Sequence, residues 1–176
     1  MVIPLRNQAA DEQGTEKHTA LRYGAVWDSG AARAADARQA LRAFLAYAPR
    51  TGRDPLPGPL ALDAELAVSE LVTNAVRHAP GPCGMTLRLS GEELAITVWD
   101  TSAEEPVARG ADPRRVGGHG LHLVHAVSDR VVVAPHPTGK QVTAHLRLAP
   151  GHRPGAPAEP FSRSPAPRIA AGSVAP

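Results

Sequence analysis

At 176 residues the chain has room for one domain with a substantial core plus tails. Aromatic residues are only 3% of it, so the core has to come from Val, Leu, Ile and Ala, and a formal charge of +2 without any run of Lys or Arg excludes a strong nucleic-acid footprint. Cys83 is the single cysteine, so no internal disulfide can form; with no hydrophobic signal core and no membrane-length apolar run, a soluble cytoplasmic protein is the expectation.

Residues 1–19 are polar and irregular and read as a flexible N-terminal arm, ahead of a folded domain over residues 20–149. Leu21 to Trp27 (LRYGAVW) reads as a short strand, and Asp28 and Ser29 are placed to cap a following helix. Ala31 to Ala48 is rich in Ala, Arg and Leu, with Ala37, Leu41, Phe44 and Leu45 along one side. Pro49 to Pro59 is a loop dense in turn residues. A second helix is expected from near Leu60 to the stop at Pro80-Gly81-Pro82. In it Val68, Leu71, Val72, Ala75, Val76 and Ala79 recur as one apolar stripe.

Glu70 and Asn74 lie one turn apart on the opposite face of that helix. Three readings of the pair stay open. It can hold a hydrated divalent cation, since hard cations take oxygen ligands; Glu70 can take the proton of an attacking hydroxyl; or the two simply form a solvated face.

Met85, Leu87 and Leu89, then Leu94, Ile96 and Val98, alternate with other residues on either side of Gly91-Glu92-Glu93, the pattern of a hairpin. The same parity aims Asp100 inward at the end of a core strand, where a buried carboxylate is costly unless it is hydrogen-bonded. The alternative is that Asp100 has left the strand and caps the turn at Thr101-Ser102. Cys83 falls in the preceding turn with no partner base in view and reads as inert.

Residues 101–117 form a long loop bearing Arg109, Arg114 and Arg115, the kind of connection that serves as a binding loop or lid. Gly117-Gly118-His119-Gly120 then opens a helix from Leu121 to Val127, with Leu121, Val124 and Val127 toward the core. Glycines before a helix N-terminus let backbone N–H groups approach an anion, although the same string also suits a flexible loop. His119, His122 and His125 sweep round the helix axis, a poor metal set. Arg130 to Ala134 reads as a buried strand, Pro135 to Gly139 as a turn, and Gln141 to Leu148 as the last strand. Residues 150–176, punctuated by proline among Gly, Ala and Ser, read as a disordered Pro-rich tail.

Taken together, these elements supply the parts of a nucleotide site. Asp100 offers an acceptor for an adenine amino group, Gly118, Gly120 and the loop arginines suit phosphates, and Asn74 offers an oxygen to magnesium.

The motifs also carry a family resemblance. ELVTNAVRHA resembles the N-box of the ATP-binding fold shared by histidine kinases, type II topoisomerases, MutL and a heat-shock chaperone, the GHKL superfamily. VWDTS resembles its first glycine box, GGHGLHLVHAVSDRV its second, and GKQVTAHL its closing strand. Over roughly Arg22 to Leu148 the chain resembles the small single-domain branch typified by anti-sigma-factor serine kinases, in the form abundant in actinobacteria.

The resemblance implies an α+β fold, a two-layer α/β sandwich with helices on one face of a mixed, mostly antiparallel sheet. It implies ATP and Mg2+ as cofactors. Asn74 would ligate the magnesium, Glu70 would be the catalytic base, and Asp100 would hold the adenine amino group. Gly118, His119, Gly120 and Leu121 of the second glycine box, and Lys140 near the adenine, would complete the nucleotide-binding set. Three positions depart from the family pattern: Ser102 stands for a glycine, His119 for an arginine, and Lys140 for a threonine.

The function implied is that of a protein serine/threonine kinase. It would phosphorylate an anti-anti-sigma protein, sequester a sigma factor and form a homodimer, with no direct contact to nucleic acid or membrane. Two alternatives are a non-catalytic ATP-binding or protein-contact module of the same fold and an ATP hydrolase in which Glu70 activates water.

Overall fold

The computed structural model describes residues 20–104 and 120–148. The expected arm over 1–19, most of the expected loop with Arg109, Arg114 and Arg115, the site candidates Gly118 and His119, and the expected tail over 150–176 lie outside the described residues.

The elements in chain order are β1 (Leu21–Trp27), α1 (Ala34–Tyr47), α2 (Gly58–His78), β2 (Cys83–Leu89), β3 (Glu93–Asp100), α3 (Gly120–Val127), β4 (Arg130–His136) and β5 (Gly139–Arg147). The five strands form one sheet in the order β1-β2-β3-β5-β4. Each neighbouring pair is antiparallel, the limiting case of the mostly antiparallel sheet expected.

Period-two alternation decides which side chains meet the helices. The register sets Leu87 opposite Ile96, and Ile96 opposite Ala144, and all three are fully buried. α2 packs on β3, and both α1 and α3 pack on α2. The core is thus the inward side chains of the central strands closed by Leu41 of α1, Val68 and Val72 of α2 and Val124 of α3. The other sheet face carries polar pairs, such as the Thr97 and Thr143 hydroxyls 2.9 Å apart, and a stacked Trp99 and His136. No helix among the described residues is long and apolar enough to cross a membrane.

Several boundaries differ from the sequence reading. Helix α1 starts at Ala34, not Ala31, and its N-cap Arg33 makes no side-chain cap, so Asp28 and Ser29 do not cap it. Instead the Asp28 carbonyl accepts from Ala31 N–H in a turn where Gly30 has φ +70°. Helix α2 begins earlier, at Gly58, with Pro59 in its first turn, where proline's missing N–H would have no helical partner anyway. Val76 is 37% exposed although it belongs to the expected stripe; at 3.6 residues per turn it lies roughly 80° round the axis from Val68, at the stripe's margin. Cys83 opens β2 rather than sitting in a turn. Strand β4 runs on through Pro135 to His136, leaving only two residues for the turn. Proline is tolerated there because β4 is an edge strand.

Candidate functional site

Two groups of polar residues form around the C-terminal half of α2. The first is on the helix itself. The apolar stripe turns one face of α2 to the sheet and leaves Glu70 and Asn74 half-buried along its flank, where α3 packs. The first residue of α3, Gly120, presses against both. A methyl group at Gly120 would collide with Glu70 Oε2 and stand 3.5 Å from Asn74 Nδ2. The helix opened by the glycine string therefore begins against the carboxylate–carboxamide pair. Fifty residues of sequence separate the two motifs, and the fold brings them into contact.

The second group lies at the end of β3. Asp100 points to the helix face, as its parity requires, and is only 5% exposed. Its Oδ1 accepts from the backbone N–H of Ser102 at 2.8 Å, so it also caps the turn that follows. The inward reading of Asp100 holds; of the alternative, the turn cap is present, but Asp100 has not left the strand.

The same oxygen accepts from Lys140 Nζ at 2.8 Å, and Lys140 is itself 8% exposed. Asp100 and Lys140 are cross-strand partners of β3 and β5. Lys140 also approaches the Ser102 carbonyl at 3.4 Å. Cys83 lies close by: burial first, and then the Asp100 charge, push its thiol pKa up, which keeps it protonated and unreactive.

Two glycines make this corner possible. A methyl group at Gly139 would collide with the Asp100 carbonyl oxygen and come within 2.9 Å of Ser102 N. One at Gly81 would collide with the Thr101 hydroxyl. Gly81 follows α2 by three residues, so the end of the helix that carries Asn74 adjoins the turn that carries Asp100.

Of the eight residues predicted for the site, six are described, and five of them fall in these two groups. Glu70, Asn74 and Gly120 stand together in the first, Asp100 and Lys140 in the second, and Leu121 packs half-buried against the hydrophobic core. His122 is exposed on α3, and the pKa of His125 is lowered by burial and then by the neighbouring His122. Among the described residues no three His, Cys, Asp or Glu side chains gather as a metal cage.

The sequence reading missed the ion pair itself. The signal was present, since Lys140 shares its strand parity with Val142, Ala144 and Leu146 and so points inward. Only the pairing of β3 with β5 shows that Asp100 faces it.

Comparison with known proteins gives the family. Residues 18–146 match the histidine kinase-like ATPase domain. Over 93 residues the chain is 31% identical to the serine/threonine-protein kinase BtrW of Bordetella bronchiseptica, covering 43% of this chain and 66% of that protein, just under two thirds of its length. A crystal structure of the RsbU and RsbW domains of a Mycobacterium tuberculosis protein superposes with a TM-score of 0.50 at 20% identity, over 76% of this chain and 34% of that one. With the match running from before β1 almost to the end of β5, the chain belongs to the histidine kinase-like ATPase family.

Proposed function

We propose that this protein is an ATP- and magnesium-dependent serine/threonine protein kinase of the anti-sigma-factor type. Its phosphoacceptor is a serine or threonine of an anti-anti-sigma protein, and its other partner is a sigma factor. In this reading it works in the cytoplasm as a homodimer. The contact of Gly120 with Glu70 and Asn74 carries the proposal, because it joins a carboxylate base, an oxygen ligand and a helix N-terminus.

The residues present fit the nucleotide and its cation. Asn74 offers the oxygen ligand that a hard cation takes. Gly120 leaves a side-chain-free approach at the start of α3, where the helix dipole favours phosphate. Asp100 keeps Oδ2 free of partners among the described residues, able to accept from an adenine amino group. Magnesium, when bound, neutralises phosphate charge.

Phosphoryl transfer asks the protein mostly for positioning. The acceptor hydroxyl oxygen forms a bond to the terminal phosphorus as the bond to the leaving ADP oxygen breaks, and Glu70 takes the hydroxyl proton. The relationship to a protein named a serine/threonine kinase supports this direction over water activation.

The second reading is a non-catalytic nucleotide-binding or protein-contact module. The ion pair favours it, since Lys140 occupies one oxygen of the carboxylate expected to hold the base and leaves only Oδ2 for it.

Calorimetry with magnesium and ATP on the wild type, Asn74→Ala and Asp100→Ala separates these readings. The kinase predicts binding that both variants largely lose, and radiolabel transfer to a partner serine that Glu70→Gln abolishes. Wild-type protein that ignores millimolar ATP would rule the kinase out. Binding without transfer leaves the module.

A further inference from the structure

The Lys140–Asp100 pair is the only ion pair among the described residues with both side chains at least nine-tenths buried, and its hydrogen bonds do not close. Oδ1 accepts twice, from Lys140 Nζ and from Ser102 N–H, each at 2.8 Å. Oδ2 accepts from no described residue. A lysine ammonium has three N–H donors. One goes to Oδ1, a second faces the Ser102 carbonyl at 3.4 Å, and the third has no acceptor among the described residues.

A buried pair that serves only to clamp two strands needs its remaining lone pairs and protons satisfied, because desolvation is costly. This pair keeps one acceptor and one donor in reserve. Gly139, with no side chain, lets the Asp100–Ser102 backbone pack directly against it, which fixes the turn beside the pair.

We propose that Lys140 reads the nucleobase together with Asp100: Nζ donates to the ring nitrogen N1 of adenine, and Oδ2 accepts from its exocyclic amino group. The proposal rests on the nucleotide-binding reading above and deepens it. Adenine presents that amino donor and the N1 acceptor on neighbouring atoms. A carboxylate alone can take only the first. Guanine in the same orientation sets its carbonyl oxygen against Oδ2 and its N1–H against the ammonium, so both contacts become repulsive. A buried site built for one donor–acceptor pattern rejects the other because its own groups are left unpaired.

The test is titration calorimetry of the full chain with magnesium and three nucleotides: ATP, GTP, and 1-deaza-ATP, which keeps the amino group and replaces N1 by C–H. The wild type is expected to bind ATP about tenfold or more tighter than 1-deaza-ATP, the loss of a hydrogen bond to a charged donor, and to reject GTP. Lys140→Thr is expected to bind ATP and 1-deaza-ATP alike. Equal wild-type affinity for the two, or discrimination that survives in Lys140→Thr, overturns the proposal and leaves the nucleotide site standing. Absence of any ATP binding overturns both. Should Lys140→Thr not fold, the wild-type comparison decides by itself.

Discussion

At the residue scale, Asp100 and Lys140 behave as one unit. Lys140→Met alone leaves a buried, uncompensated carboxylate and is expected to cost about 3–5 kcal/mol. Lys140→Met with Asp100→Leu is expected to regain most of that, because an apolar pair of similar volume replaces both charges. Urea denaturation of the wild type, the single variant and the double variant measures it. A double variant as unstable as the single one shows that the lone carboxylate is not the cost.

The glycines of the two groups should respond differently. Gly139→Ala meets backbone atoms, which cannot swing away, and is expected to destabilise the fold by about 1–3 kcal/mol. Gly120→Ala meets the far end of the Glu70 side chain, which can move. It is expected to leave stability within about 1 kcal/mol, since alanine is the better helix former, while displacing Glu70 and, if the proposed kinase reading holds, lowering phosphate transfer. Thermal melts paired with a transfer assay separate the two effects.

At the element scale, α1 is held to α2 in two ways. The Arg42 guanidinium forks onto the Glu65 carboxylate at 2.7 and 2.6 Å, and Arg38 donates to Ser69 at 3.0 Å. The hydrogen bond from Arg42 lowers the Glu65 pKa, but the pair faces water, and exposed pairs contribute little. Beneath it Leu41 is fully buried and Phe44 meets the Tyr23 ring of β1 at 6.4 Å. Arg42→Ala is therefore expected to leave the melting temperature nearly unchanged, and Leu41→Ala to cost about 2–5 kcal/mol. Comparable losses in the two would show that the charged fork, not the core, anchors α1.

At the scale of the whole molecule, two histidines make stability depend on pH just below neutrality. Burial, then the Arg130 charge, lowers the pKa of His145 on β5, and burial with His122 lowers that of His125 on α3. Glu93, 3.2 Å from His145 Nδ1, pulls the other way but does not prevail. Between each lowered folded value and the ordinary value of 6.5, the unfolded chain binds more protons than the folded one. Stability therefore rises with pH through that window, is complete above about 6.5, and falls on acidification until both groups are protonated in the fold. Urea midpoints at about pH 7.5 and about pH 5.5 should show the drop, and His145→Gln should reduce it. A flat profile would mean that neither histidine is held neutral by the fold.

Local pattern already carried much of this molecule. The alternation in Met85 to Leu89 and Leu94 to Val98, and the helical repeat through Val68, Leu71, Val72 and Ala75, depend only on the geometry of each element, so they can be read along the chain. The same parity aimed Asp100 inward, and the spacing of Glu70 and Asn74 put them on one flank of α2. Tertiary structure alone decided the rest, because it depends on contacts between residues far apart in sequence. Strand pairing put Lys140 opposite Asp100, and helix packing set Gly120 on Glu70 and Asn74. The antiparallel order β3-β5-β4 made Pro135 an edge residue. A side chain's parity follows from its own strand, but its partner is chosen by whichever distant segment the core brings alongside, and that choice belongs to the whole fold.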